Sequence, residues 1–361
     1  MLLNKRNIDF CCSLDIGMNT RDQKLKMRAD KLSVVSSFYN SEERKITHTK
    51  LKKMRKNKFK KYRVQYIRNK EGKPYRKALL IRGKKKYSPI LLRIDYSPIN
   101  RNTGGIRLDF RPQHMTTREI DHLLSWIDRR LGGIFYQLLA RAWVTQIDVA
   151  LDIYNCKLDD YIWGLERSGK SKYFNTENGL PGLRVGSNRS ILHILCYEKV
   201  DANSGIKLAY HHKAEFININ MGEYQQFLRI EARYKPGAKP TSKRGNPVML
   251  ADIMGIKNPF ERLQIYSKDL AHELLIEGFI NKIPKKTSIS ALKHAIVLNR
   301  KNARLSRQSI GIIVKHKIEL FDRDIIWQKW SLCTEKLSSI FNIDSYLSMK
   351  KSQDKPIRPR E

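Results

Sequence analysis

Three short stretches constrain this chain more than any others: WVTQIDVALDIY (143–154), ILHILCYEK (191–199) and FLRIEARY (227–234). In the first, Thr145, Ile147, Val149, Leu151 and Ile153 alternate with Gln146, Asp148, Ala150 and Asp152. That is the period of two imposed by a strand with one apolar face. In the third, Leu228, Ile230 and Ala232 alternate with Arg229, Glu231 and Arg233, so Glu231 stands between two cations on the polar face. Tyr197 and Lys199 share one face of the middle stretch. If the three are sheet neighbours, a phenol, an ammonium and carboxylates meet on one surface, a combination suited to phosphodiester chemistry. The plainer reading is a half-solvated sheet whose outer face carries ordinary charges.

The surrounding sequence supplies the rest of a sheet and its cover. KLSVVSSFY, from Lys31, reads as the first strand of the folded region, and PILLRIDYS and GGIRLDF, joined by the turn-rich SPINRNTGG, read as a hairpin. Asp95 and Asp109 fall on its polar phases, as arginine partners or as functional groups. Thr116 with Glu119 forms a capping box, and Ile120, Leu123, Leu124, Ile127 and Leu131 recur at helical spacing until Gly132-Gly133. Asp159 to Lys172 also reads as helical, and Gly186-Ser187-Asn188-Arg189-Ser190 as a hairpin turn or a phosphate-holding nest.

The expected architecture is therefore α+β: a largely antiparallel sheet with helices on one face and the other face open to a partner, followed by a smaller helical C-terminal domain. Residues 1–30 show no periodicity and are expected to be a flexible basic arm. The Pro/Gly/Lys-rich PGAKPTSKRGNP (236–247) marks a domain boundary. Beyond it, Phe260, Leu263, Ile265, Leu270, Leu274 and Leu275 predict a long helix, with more helices near Ser288, Ser309 and Asp324 whose spacing loosely permits a helix-turn-helix. Residues 239–349 form the C-terminal domain in this reading, and 350–361 a disordered tail.

Charge narrows the partner. Lys and Arg number 71 against 35 Asp and Glu, a formal charge of +36, and Phe59, Tyr62, Tyr66 and Tyr75 lie among the cations of one lysine-rich stretch. Spread along the chain and interleaved with aromatics, such charge fits backbone neutralisation with base stacking, hence nucleic acid. No run approaches the roughly 20 apolar residues of a membrane span, so no membrane association is expected. The five cysteines are odd in number and lack C-x-x-C spacing, which predicts free thiols in a reducing cytoplasm.

The order GLRVGSNRS, CYEK, RIEARYKP, after a strand written QIDVALDIY, resembles the replication initiation factor family of rolling-circle plasmids, phages and integrative elements. The resemblance extends from Leu32 to Lys235 and is strongest from Val144 onward. It implies that 31–238 is a nicking-joining domain. It also implies that Tyr197 is the nucleophile, since Tyr197 holds the tyrosine position of the family's Arg-x-Tyr-Asp-Lys-like segment. Leu195 departs from that pattern by replacing the arginine, which leaves Arg184 and Arg189 as substitute phosphate contacts, with Arg229 and Arg233 as further DNA-binding candidates. A phenol with an ordinary pKa near ~10 needs help to ionise, and Lys199 is the expected helper. The chain has no His-hydrophobic-His motif, its His211-His212 pair being adjacent. A metal site must then be carboxylate-built, which favours Mg²⁺ or Mn²⁺. Asp148 and Glu231 are the expected ligands, with Asp109 a third candidate, while Asp152 lies too far along its strand to share one ion with Asp148. Implied partners are origin DNA, duplex and single-stranded, the host replicative helicase and polymerase, and a second copy of the chain, in a bacterial cytoplasm. A relaxase of an integrative element, with the same chemistry, and a noncatalytic DNA- or RNA-binding protein are the competing readings. A second Tyr-x-Lys, Tyr266 to Lys268, falls in the expected C-terminal helix and reads as a buried ring.

Overall fold

The computed structural model describes residues 2–4, 10–56, 58–84, 88–177, 179–201, 216–218, 225–237, 246–284, 288–299, 304–337 and 340. In chain order the elements are β1 (Leu2–Asn4), β2 (Leu14–Met18), β3 (Lys24–Ser36), α1 (Ser41–Lys56), β4 (Tyr62–Arg68), β5 (Tyr75–Gly83), β6 (Ile90–Pro98), β7 (Ile106–Phe110), α2 (Thr117–Leu131), α3 (Phe135–Ala140), β8 (Trp143–Tyr154), β9 (Tyr161–Leu165), β10 (Ser171–Asn175), β11 (Pro181–Val185), β12 (Leu192–Asp201), β13 (Phe216–Asn218), β14 (Gln225–Tyr234), β15 (Leu263–Ser267), α4 (Asp269–Ile276), α5 (Ile289–Asn299), α6 (Arg307–Lys315), α7 (Arg323–Gln328) and α8 (Trp330–Glu335). This is an α+β fold. Its main sheet has eleven strands in the order β10-β11-β12-β14-β8-β3-β7-β6-β5-β4, with β2 beside β3.

The stretches at 191–199, 227–234 and 143–154 are sheet neighbours, β12-β14-β8, in antiparallel register. β6 and β7 pair antiparallel as expected. The 13-residue β3 pairs antiparallel with both β7 and β8, so β7 and β8 run parallel across it, joined by α2 and α3. The apolar phase of β8 (Ile147, Val149, Leu151, Ile153) is fully buried in one core with Ile120, Leu123, Leu124, Ile127 and Leu131 of α2. That helix starts where its sequence signals say it should. Glu119 N–H donates to Thr116 Oγ1 at 3.3 Å, Thr116 N–H donates to Glu119 Oε2 at 2.9 Å, and Gly132 closes the helix at φ 75°.

Several expectations are overturned. The supposed flexible arm contains β2 and the first half of β3, with Met27 and Ala29 buried. Lys24, Lys26 and Arg28 do alternate with Leu25, Met27 and Ala29, and Lys26 and Arg28 stand opposite Asp152 and Ala150 of β8, with Arg28 reaching the Asp152 carboxylate at 2.7 Å. The helix expected over 159–172 is instead β9 and β10, and the long helix expected from Phe260 opens as β15. β15 pairs antiparallel with the wholly buried β9. Short apolar runs carry no decisive periodicity, and here long-range pairing settles them as strands.

Nor is the C-terminal region detached. Leu250 N–H donates to Ala142 C=O, and Leu250, Ile253, Phe260, Leu263 and Trp330 lie in the same core as β8. A smaller cluster (Leu270, Leu274, Leu292, Ile296, Ile312, Ile313) forms around α4, α5 and α6. The His211-His212 pair, most of the Pro/Gly/Lys-rich stretch and the C-terminal tail lie outside the described residues. Among the described residues no helix is long and apolar enough to cross a membrane.

Candidate active site

The polar phases of β12, β14, β8 and β3 face one way and are organised by the register. Tyr197 stands opposite Arg229, which stands opposite Asp152; Arg233 stands opposite both His193 and Asp148; Glu231 stands opposite Leu195 and Ala150. This face was expected to be open. It is largely roofed: Phe10 packs with Tyr154 and Phe227, and Gln113 of the turn after β7 accepts a hydrogen bond from Arg229 at 2.9 Å.

The chemistry concentrates at three buried carboxylates, Asp30, Asp148 and Glu231, which each offer an oxygen within 4.8 Å of the others. Asp148 and Glu231 are where the sequence put them. Asp30 was missed because residues 1–30 were read as an arm, although it continues the polar phase of Lys24, Lys26 and Arg28. β3 pairs Ala29 with Val149 and then Lys31 with Asp148, leaving Asp30 as the extra residue. The bulge brings Asp30 and Lys31 together level with Asp148, and the Asp30 carboxylate lies beside the other two. The nearest sequence signal was a charged pair, Asp30-Lys31, interrupting an alternating strand. Asp109 does not join the group. It sits on β7, opposite Ser33, with its carboxylate 3.0 Å from Arg107 Nε and 3.8 Å from Lys31 Nζ.

Tyr197 Oη donates a 2.6 Å hydrogen bond to Glu231 Oε2. Arg233 bridges the same carboxylates, with Nη2 2.6 Å from Glu231 Oε1 and Nε 3.2 Å from Asp148 Oδ2. Gln146 Nε2 donates to both Asp148 oxygens, at 2.8 and 3.0 Å. Lys199 Nζ lies 5.3 Å from the Tyr197 ring centroid and 4.6 Å from that of Phe10.

These neighbours set the protonation states. Burial, with Glu231 close by, pushes the Asp148 carboxyl up to about 8. Burial also raises Asp30, but Arg229 and Lys199 more than offset it and leave the group below its ordinary value. Tyr197 is held well above an ordinary phenol by burial and by Glu231, while burial and Arg229 bring Lys199 down to about 8. The site thus holds a neutral phenol bonded to a carboxylate and an ammonium that titrates close to neutrality.

Arg229, expected at the DNA surface, is fully buried. It grips Asp152 with two nitrogens, at 2.7 and 2.9 Å, and Asp30 with the third at 2.6 Å. With Arg28 it also holds the Asp152 carboxyl below its usual range against the opposing effect of burial. Asp152 and Arg229 therefore form the floor of the site and orient Asp30. His193, fully buried opposite Arg233, has no hydrogen-bond partner among the described residues, and burial with Lys235 and Arg233 lowers it to about 4. Its neutral imidazole was another feature unflagged by sequence. Arg184 lies on β11 and Arg189 on the exposed hairpin turn to β12. Gly186 is required in that turn: its φ is +95°, and a Cβ would come within 3.0 Å of His193. Tyr266, in β15, is buried in the second core cluster, away from the carboxylates.

No protein-family model and no curated protein sequence matches the chain. Among solved structures, it is similar to a rolling circle replication initiator protein from Geobacillus stearothermophilus at 14% sequence identity and a TM-score of 0.33, over 82% of this chain and 100% of that one.

Proposed function

We propose that this chain is a DNA nicking-joining enzyme that initiates rolling-circle replication at an origin, with Tyr197 as nucleophile. The observation that carries the reading is the 2.6 Å hydrogen bond from Tyr197 Oη to Glu231 inside a trio of clustered carboxylates. Tyr197 gives its proton to Glu231 as its oxygen forms a bond to phosphorus. The bond from phosphorus to the 3′-oxygen breaks, and the leaving oxygen takes up a proton to become the 3′-hydroxyl that primes synthesis. Lys199, its pKa brought down to about 8, stands beside the Tyr197 ring as the cation that stabilises charge on the phenolate and can supply that proton. Because the energy of the phosphodiester stays in the 5′-phosphotyrosyl link, attack by the 3′-hydroxyl reverses the reaction and rejoins the strand.

The residues present fit a hard divalent cation. All three clustered donors are carboxylates, the ligand type Mg²⁺ and Mn²⁺ prefer, and one of them, Asp148, is left protonated near neutrality by burial first and by the charge of Glu231 second. Asp30, Asp148 and Glu231 would hold the ion, and when bound it supplies Lewis-acid polarisation of the scissile phosphate. Arg233, paired with both Asp148 and Glu231, bridges and orients them.

One observation favours the noncatalytic reading: the Tyr197 side chain is only 8% exposed, so DNA must reach a roofed phenol. Incubation with labelled single-stranded origin fragments and Mn²⁺ separates the two readings. A covalent protein–DNA adduct that disappears in Tyr197→Phe is the expected result; binding without any adduct would establish the noncatalytic one.

A further inference from the structure

At the edge of the same sheet, two strands from Glu231, lies a cleft of about 690 Å³ between the start of β10, the β11–β12 turn and α5. Lys170, Lys172, Arg184, Arg189 and His294 line it, and none of its lining residues is a carboxylate. Lys170, Lys172, Arg189 and His294 are exposed, while Arg184 Nε is buried without a hydrogen-bond partner among the described residues. Positive charge concentrated in a concavity without a compensating acid attracts an anion and raises its local concentration.

The register ties this cleft to the site. Glu231 stands opposite Leu195, Leu195 opposite Arg184, and Arg184 opposite Lys172. With neighbouring strands about 4.8 Å apart, Arg184 and Lys172 lie roughly 10 and 14 Å from Glu231 along one line of side chains. The adjacent line runs from Tyr197 through Gly182 to Phe174. Gly182 has no side chain, so the Phe174 ring lies across it, where a Cβ would meet that ring at 2.6 Å. As a result the half-exposed Phe174 ring comes to 6.2 Å from the Tyr197 ring centroid. An aromatic face next to a row of cations is the arrangement that holds single strands, with bases stacked on the ring and phosphates on the cations.

We propose that this cleft binds single-stranded DNA adjoining the cleaved phosphate, with backbone phosphates on Lys172, Arg184 and Arg189 and a base stacked on Phe174, and that it leads the strand across β10, β11 and β12 to Tyr197. The direction of the strand rests on the nicking reading above; the binding site does not. A duplex keeps its bases stacked on one another and cannot use Phe174, so the cleft selects a melted strand.

Fluorescence anisotropy with a labelled oligothymidylate, in a Tyr197→Phe background that forms no covalent link, tests the proposal. Each lost single-strand phosphate contact lowers the slope of log affinity against log salt by about 0.7. The combination Lys172→Ala, Arg184→Ala and Arg189→Ala is therefore expected to reduce the slope by about 2. If loss of Arg184 impairs folding, Lys172→Ala with Arg189→Ala, both exposed, is expected to reduce it by about 1.4. Phe174→Ala is expected to weaken binding about tenfold without altering the slope. An equal charge reduction away from the cleft and from the lysine-rich stretch, Lys257→Ala with Lys282→Ala and Lys329→Ala, all exposed, is expected to leave oligothymidylate binding unchanged. An unchanged slope in the cleft variants, or equal losses for a duplex and a single strand, overturns the proposal. Adduct formation is scored separately in protein retaining Tyr197. Cleft-dependent binding without any adduct would sink the nicking reading and leave the cleft intact, whereas adducts with cleft-independent binding would do the reverse.

Discussion

Asp148→Asn should stabilise the protein and abolish its activity. Asp148 is 1% exposed, and its carboxyl is raised from 3.8 to about 8 by burial first and by Glu231 second. A group with a raised folded-state pKa contributes stability that is complete below pH 3.8, declines across the interval to about 8, and is gone above it. At about 1.36 kcal/mol per tenfold, the whole interval corresponds to roughly 5–6 kcal/mol, and the part above about pH 5 to roughly 4 kcal/mol. The asparagine variant keeps the side-chain shape and an acceptor for Gln146 but has no proton to lose. Urea unfolding of both proteins at about pH 5 and about pH 9 measures the effect, because titrating groups that do not interact with Asp148 cancel in the difference. The advantage of the variant should grow by about 4 kcal/mol between the two conditions, with no nicking at either. A difference that stays constant with pH would refute the claim that Asp148 is a crowded, desolvated carboxyl.

Arg229→Met leaves Asp152 and Asp30 buried without their main partner, and should destabilise the fold by about 3–5 kcal/mol in chemical denaturation; a loss confined to DNA affinity would return Arg229 to the surface role suggested by sequence. Calorimetric Mn²⁺ binding should be lost in Asp30→Asn and retained in Asp109→Asn. In the wild type it should strengthen as pH rises through about 8 and Asp148 sheds its proton. Truncation after Lys239 removes Leu250, Phe260, Leu263 and Trp330 from the core that contains β8, so the fragment should show no cooperative unfolding transition; a cooperatively folded fragment would mean the two regions are independent.

What was legible in the sequence was whatever local periodicity encodes. The alternation in β8 and β14 located Asp148 and Glu231 on one face, the capping box located α2, and turn chemistry located the β6–β7 pair. What was hidden depends on pairing between distant segments. Asp30 lies in a segment that reads as an arm, and its place in the site shows only once β3 pairs with β8. The cations of the first 30 residues looked like an arm because their partners, Asp152 above all, lie more than a hundred residues away in the chain. β9 and β15 looked helical because each is a short apolar run that becomes a strand by pairing with the other. The polar face looked solvated because nothing local announces that Phe10 and Gln113 fold over it.

In the proposed reaction one phenol, Tyr197, carries the DNA. Protein incubated with a labelled single-stranded origin fragment and Mn²⁺, digested with trypsin and nuclease and analysed by mass spectrometry, reports the linked residue directly. A nucleotide mass is expected on the peptide containing Tyr197, lost in Tyr197→Phe and unaffected in Tyr266→Phe. An adduct on Tyr266 or on any other tyrosine, or none at all from protein that binds the fragment, would contradict it.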